Sequence, residues 1–257
     1  MAGNRAPLGR RAAAEAVGTG LLVTVVVGSG IAAQTLSPSD VGLQLLENAL
    51  ATTAGLAVLI LVFGPVSGAH LNPVVSLADW WLGRRAGAGL RPRELAAYLP
   101  AQVLGGAAGT VLADALFGRA LLAWSGTTRG APRLLLSEVV ATAGLLLLVF
   151  ALARSGRATA APAAVGGYIG AAYFFTSSTS FANPAVTVAR SLTDTFAGIA
   201  PASVPGFVLA QLVGLVVGLA AIQAFYPDAA RSASEVVVPP LRAPESGSLS
   251  PRPRAVR

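Results

Sequence analysis

Asparagine followed by proline is a start signal for a helix, and this chain carries it twice, at Asn72-Pro73-Val74 and Asn183-Pro184-Ala185. The Asn side-chain oxygen accepts from the free amides of a first helical turn, and Pro has no N–H to leave unsatisfied at the next position. With that oxygen occupied in capping, each carboxamide points N–H donors away from the helix, where a passing water or hydroxyl would be oriented oxygen-first. The apolar runs that follow, 74–82 and 184–192, are too short to span a bilayer: at ~1.5 Å per residue they reach about half of a ~30 Å core. One copy would be an ordinary surface cap. Two copies 111 residues apart predict two half-helices whose N-termini, positive through their dipoles and open amides, lie at mid-membrane depth.

Other polar residues repeat in the same order. Glu15 in Ala14-Glu15-Ala16-Val17-Gly18-Thr19 has a counterpart 123 residues on, at Glu138 in Ser137-Glu138-Val139-Val140-Ala141-Thr142, and Gln102 has one 109 residues on, at Gln211. Offsets that drift by only about a dozen residues across half a protein indicate two homologous halves. An intramembrane carboxylate is a candidate proton carrier. Here the structural alternative is favoured, in which each Glu accepts hydrogen bonds from the non-helical backbone ahead of its half-helix. His70, the single histidine, offers either a titrating gate or a structural hydrogen bond at a cytoplasmic vestibule, and its place in the motif favours the second. Asp79, Asp114 and Asp194 show no ligand spacing and there is no cysteine, so the sequence points to no metal site, no cofactor and no thiolate chemistry.

The elements that must position these residues follow from composition. At 54% hydrophobic, 11% charged and a mean hydropathy of +0.68, the chain reads as an all-α polytopic membrane protein. Its 29 glycines suggest spanning helices packed closely through small side chains. Six spans are expected over about 12–33, 43–63, 95–117, 134–153, 158–175 and 204–225, giving inverted halves of about 10–117 and 134–226 within one channel domain, 1–228. Residues 229–257, rich in Pro, Ser and Arg, are expected to form a disordered cytoplasmic tail. A net charge of +7, all of its cations Arg, would suggest nucleic acid in a soluble chain, but the distribution argues otherwise. Six spans leave both termini on one side, and that side holds 14 of the 18 Arg, so both are expected in the cytoplasm and no nucleic-acid partner is implied. An odd number of spans in each half inverts the halves, so the half-helices enter from opposite faces and their Asn-capped ends meet.

Ser-Gly-Ala-His-Leu-Asn-Pro at 67–73, Asn-Pro-Ala at 183–185, the paired Glu15 and Glu138, and the paired Gln102 and Gln211 resemble the aquaporin (major intrinsic protein) family over roughly residues 10–226. The resemblance implies six transmembrane helices plus two re-entrant half-helices, a homotetramer with one pore per subunit, and a setting in the bacterial inner membrane. In most members an Arg directly follows the second Asn-Pro-Ala and joins three other residues in a narrow selectivity filter. Here that position is Val186. Counting from the motifs as in the family places the other filter positions at Thr52, Ser180 and either Gly170 or Ala171, all small, which implies a wide mouth without charge. Arg190 stands four residues beyond Val186 and is not assumed to replace the missing Arg. A finer likeness, in Asn-Pro-Ala-Val and the residues after it, is to bacterial aquaglyceroporin-like channels linked to arsenic detoxification. Trivalent arsenic at neutral pH is an uncharged trihydroxy species shaped much like glycerol.

These expectations describe a passive channel for small uncharged solutes: water, glycerol-like polyols, and arsenite or other metalloid hydroxides. The alternatives are a strict water channel and a proton-coupled secondary transporter, which also uses inverted repeats and broken helices but needs a titratable group at its substrate site. An enzyme would need a nucleophile, base or metal constellation that the composition does not supply.

Overall fold

The computed structural model describes residues 6–84 and 87–226, and among them it contains eight α-helices, three 3₁₀ turns and no strand. The helices are α1 (Leu8–Leu36), α2 (Val41–Ser67), α3 (Pro73–Gly83), α4 (Pro92–Leu116), α5 (Pro132–Arg154), α6 (Ala161–Phe175), α7 (Pro184–Ala189) and α8 (Val204–Phe225). Five of them, α1, α2, α4, α5 and α8, are long and apolar enough to cross a membrane. The sixth span is shorter: α6 has 15 residues, about 22 Å at ~1.5 Å each, and is extended by the 3₁₀ turn Ala158–Ala160 that runs into it. The tail expected over 229–257 lies outside the described residues.

The two halves repeat one plan. In the first, α1 packs along α4; in the second, α5 packs along α8, while α2 meets α6 across the junction. Closeness at the α1–α4 seam depends on glycine: a Cβ on Gly105 would stand 2.1 Å from the Ala16 carbonyl oxygen, and one on Gly109 would stand 2.1 Å from that of Gly20. Without side chains there, the backbones approach until Thr24 Oγ1 donates to Gly109 O at 3.1 Å. Leu50, Val58, Leu61, Leu104, Leu209 and Val216 point outward and are exposed, as contact with lipid requires.

Helix ends place the site. α2 runs through Pro65 to Ser67, four residues past its expected end, and stops at Gly68, whose φ of 92° is the left-handed cap that only glycine takes without strain. α4 begins at Pro92 with Glu94 accepting from Arg91 N at 2.8 Å, and the same carboxylate pairs with Arg11 of α1. Tyr98, one turn further on, donates its hydroxyl proton to Ser67 O at 2.7 Å and so fixes the chain where it turns towards α3. The second half-helix is shorter than the first: α7 has six residues and tightens into the 3₁₀ turn Arg190–Leu192.

Candidate functional site

Both half-helices are entered through the same run of left-handed backbone. Gly68, Ala69 and Leu71 have φ of 92°, 46° and 48°, and 111 residues later Thr179, Ser180 and Ala182 have 63°, 48° and 45°. The conformation costs a non-glycine residue about 1–2 kcal/mol, so five such residues need compensation. It comes from two fully buried carboxylates. Glu15 accepts from His70 N (3.0 Å) and Ser67 Oγ (2.6 Å) on one oxygen, and from Leu71 N (2.7 Å) and Gln102 Nε2 (2.8 Å) on the other. Glu138 accepts from Phe181 N (2.9 Å), Ala182 N (2.8 Å) and Gln211 Nε2 (2.7 Å). Each glutamine also donates to a hydroxyl four residues after the motif Asn, Gln102 to Ser76 at 3.0 Å and Gln211 to Thr187 at 2.8 Å. Those hydroxyls donate in turn to Asn72 O and Asn183 O.

The two helix starts then clasp each other. Asn72 Oδ1 accepts from Val74 N at 3.0 Å, and Asn183 Oδ1 accepts from Ala185 N and Val186 N at 3.0 and 3.3 Å. Pro73 and Pro184 take the first helical positions, and Val74 and Ala185 are buried beneath the caps. Asn72 Nδ2 donates to Ala182 O and Asn183 Nδ2 donates to Leu71 O, both at 2.8 Å. The sequence predicts carboxamide N–H donors facing the pore; one N–H of each Asn is instead engaged by the opposite half, and one remains. A cavity of about 70 Å³ runs past both Asn, walled by Val26, Leu56, Val75, Val149 and other apolar side chains. Neither glutamate is among its lining residues.

Thr52, Ser180 and Val186 line the same cavity, but Ala171 and Gly170 do not. Ala171 is exposed on the outer side of α6, and Gly170 faces α2, where a Cβ would stand 2.1 Å from Thr53 Oγ1. The α6 residues at the cavity are Val165, Ile169 and Tyr173, a stripe at every fourth position, with Tyr173 OH 3.2 Å from Thr52 Oγ1. The mouth is thus neither composed of small residues throughout nor free of charge, for Arg190 lines it too. Its Nε donates to Ala197 O and its guanidinium lies 3.5 Å from the centroid of the Phe181 ring. Arg129, in the loop joining the halves, approaches that ring at 5.2 Å and donates from Nε to Gly198 O at 3.0 Å. The spacing of Arg190 from Val186, four residues and so one face of a helix, was the signal for it. For Tyr173 the signal was the 165, 169, 173 stripe, with Gly166 and Gly170 marking the face turned to α2.

His70 lines the other part of the cavity, Nδ1 lying 3.1 Å from Ser76 Oγ and the ring meeting Tyr98 edge-on at 5.6 Å. Among the described residues no group of His, Asp or Glu has the geometry of a metal site. Asp79 accepts from Leu90 N, Asp114 from Thr193 Oγ1 and Asp194 from Gly126 N.

Two half-helices meeting cap to cap inside a six-span bundle, each braced by a glutamate and a glutamine from its own half, agree with what the sequence of residues 4–182 matches, the family described as Major intrinsic protein. The chain belongs to that family. It is 52% identical over 213 residues to an aquaglyceroporin, AqpS, of Rhizobium meliloti, covering 83% of this chain and 88% of the relative. A probable aquaporin, AqpM, of Archaeoglobus fulgidus is 32% identical over 221 residues, covering 75% and 86%. Among solved structures, the fold is similar to the X-ray structure of the aquaglyceroporin from Plasmodium falciparum, with a TM-score of 0.63 at 19% identity, covering 87% of this chain and 99% of that one.

Proposed function

We propose that this protein is a passive channel of a bacterial plasma membrane for small uncharged solutes: water, glycerol-like polyols, and arsenite or related metalloid hydroxides. The observation that carries the reading is the reciprocal clasp of Asn72 and Asn183, which leaves two carboxamide N–H groups and two helix N-termini beside a cavity walled mainly by apolar side chains. A solute passing there presents its oxygen to both donors, which interrupts a chain of proton-relaying waters, and the paired dipoles disfavour cations. Likeness to an aquaglyceroporin supports polyols as well as water. Val186 in the place of a filter Arg supports a solute larger than water, with Thr52 and Tyr173 offering hydroxyls on the same cavity.

A proton-coupled transporter is disfavoured because Glu15 and Glu138 are saturated by amide and hydroxyl donors away from the cavity. The channel needs no catalytic step. The deciding experiment is stopped-flow light scattering of proteoliposomes against water, glycerol, urea and arsenite, with and without a protonophore. Downhill flux of water and glycerol that ignores the protonophore is expected. Water flux alone would make this a strict water channel, and flux that collapses with the proton gradient would make it a coupled transporter.

A further inference from the structure

One end of the cavity holds a buried guanidinium that makes no direct ion pair among the described residues. Arg190 is only 2% exposed, yet among the described residues its side chain has no ion pair, and that side chain's one hydrogen bond runs from Nε to Ala197 O. Its two terminal nitrogens have no acceptor there, and neither is shut away from the open space that the side chain lines.

Its position is fixed from two sides. Nε holds the guanidinium to the Ala197 carbonyl, and the Phe181 ring beneath it, 3.5 Å away, supplies a cation–π contact. Phe181 is itself held edge-on by Phe207 at 5.2 Å in a small buried cluster with Ile199. Arg129, the other charge on this ring, is a second cation and adds to the positive potential. The Glu138 carboxylate bonds to backbone amides and Gln211, not to either guanidinium.

A buried cation is costly unless it is hydrogen-bonded, and here the missing acceptors can come only from what occupies the cavity. We propose that Arg190 is the solute-binding cation of this pore: its terminal N–H groups bind oxygens of a neutral polyhydroxylated solute at the outer mouth, and its charge excludes inorganic cations. The guanidinium presents donors in a rigid planar fork. A molecule with two or three hydroxyls on adjacent atoms engages both arms, whereas a water offers one oxygen. Val186 and Ile169, on the same cavity, give the carbon side of such a solute an apolar wall. The inference rests on the channel reading above, and it gives Arg190 the work that the family resemblance assigns to position 186.

The test compares wild type, Arg190→Met and Arg190→Lys in proteoliposomes, measuring glycerol and water permeability and sodium leak. Arg190→Met should lower the glycerol-to-water permeability ratio about tenfold, the scale of one lost charge-assisted hydrogen bond, and should open a sodium leak. Arg190→Lys keeps the charge but not the fork, so it should exclude sodium and still lose about threefold in the ratio. A monodisperse size-exclusion profile in detergent serves as the measure of folding. If Arg190→Met does not assemble, the Arg190→Lys ratio decides. An unchanged ratio in either assembled variant overturns the proposal, as does a sodium-tight Arg190→Met. A wild type that conducts no neutral solute would instead defeat the channel reading on which the proposal stands.

Discussion

At the scale of the residue, the two motif asparagines do three things at once: they cap, they clasp and they leave one donor for the pore. Replacing Asn72 or Asn183 by Asp keeps the capping oxygen but removes the Nδ2 donor, so Ala182 O or Leu71 O loses its partner and a carboxylate enters the cavity. An unpaired buried carbonyl costs about 1–3 kcal/mol. Either variant should therefore unfold at lower temperature in detergent and show depressed glycerol flux or a cation leak in proteoliposomes; wild-type behaviour in both would contradict the pore assignment. Val186→Arg should reduce glycerol and arsenite passage several-fold more than water, because a second guanidinium one turn before Arg190 narrows the mouth. Equal loss of all fluxes would move selectivity elsewhere. Asn72, Asn183, Glu15, Glu138, Gln102 and Gln211 were legible because their types recur in one order. Tyr173 was not, because counting back from Asn183 crosses the turn 176–182, whose left-handed residues break the helical register. Arg190 was in view, but a guanidinium's direction depends on Phe181 and Ala197, which no spacing rule supplies.

Among the elements, the spans were readable from hydropathy, and their ends less so. The second span is expected to end at 63, yet α2 passes through Pro65 and stops at Gly68. The half-length of α3 and α7 followed from where apolar runs stop, but the 3₁₀ tightening after Ala189, which sets Arg190 at the mouth, depends on tertiary contacts. Seams between elements yield a paired prediction. Gly109→Ala would drive a Cβ to within 2.1 Å of the Gly20 carbonyl, and backbone cannot step aside as a side-chain tip can. Overpacking of this kind costs about 1–3 kcal/mol, so Gly109→Ala should lower the unfolding temperature in detergent. Gly167→Ala, on the exposed side of α6 with nothing within 4 Å, should leave it unchanged or raise it slightly. Equal effects at the two sites would show that the α1–α4 approach is not the constraint described.

For the whole molecule, orientation is an electrostatic matter, and the Arg count that set it in the sequence also predicts what can be removed. Fourteen of the 18 Arg fall on the side of the termini, and nine of those precede residue 227, so the cytoplasmic bias survives loss of the tail. The clasp, the carboxylate braces and the cavity wall are all built from residues 15–211, and α8 closes at Tyr226 with its N–H on Ile222 O at 2.7 Å. Truncation after Asp228 should therefore still insert with its N-terminus in the cytoplasm, assemble as a tetramer through the apolar outer faces, and conduct glycerol within about twofold of the full chain. Cysteine-accessibility labelling at residue 2 and at the new C-terminus would read the orientation, since the natural chain has no cysteine to interfere. Cross-linking in membranes would count the subunits. Labelling of either end by a membrane-impermeant reagent added outside intact cells would invert the topology, and with it the assignment of Arg190 to the outer mouth and His70 to the inner one. Loss of assembly in the truncated protein, with orientation intact, would instead give residues 229–257 a part in holding the subunits together.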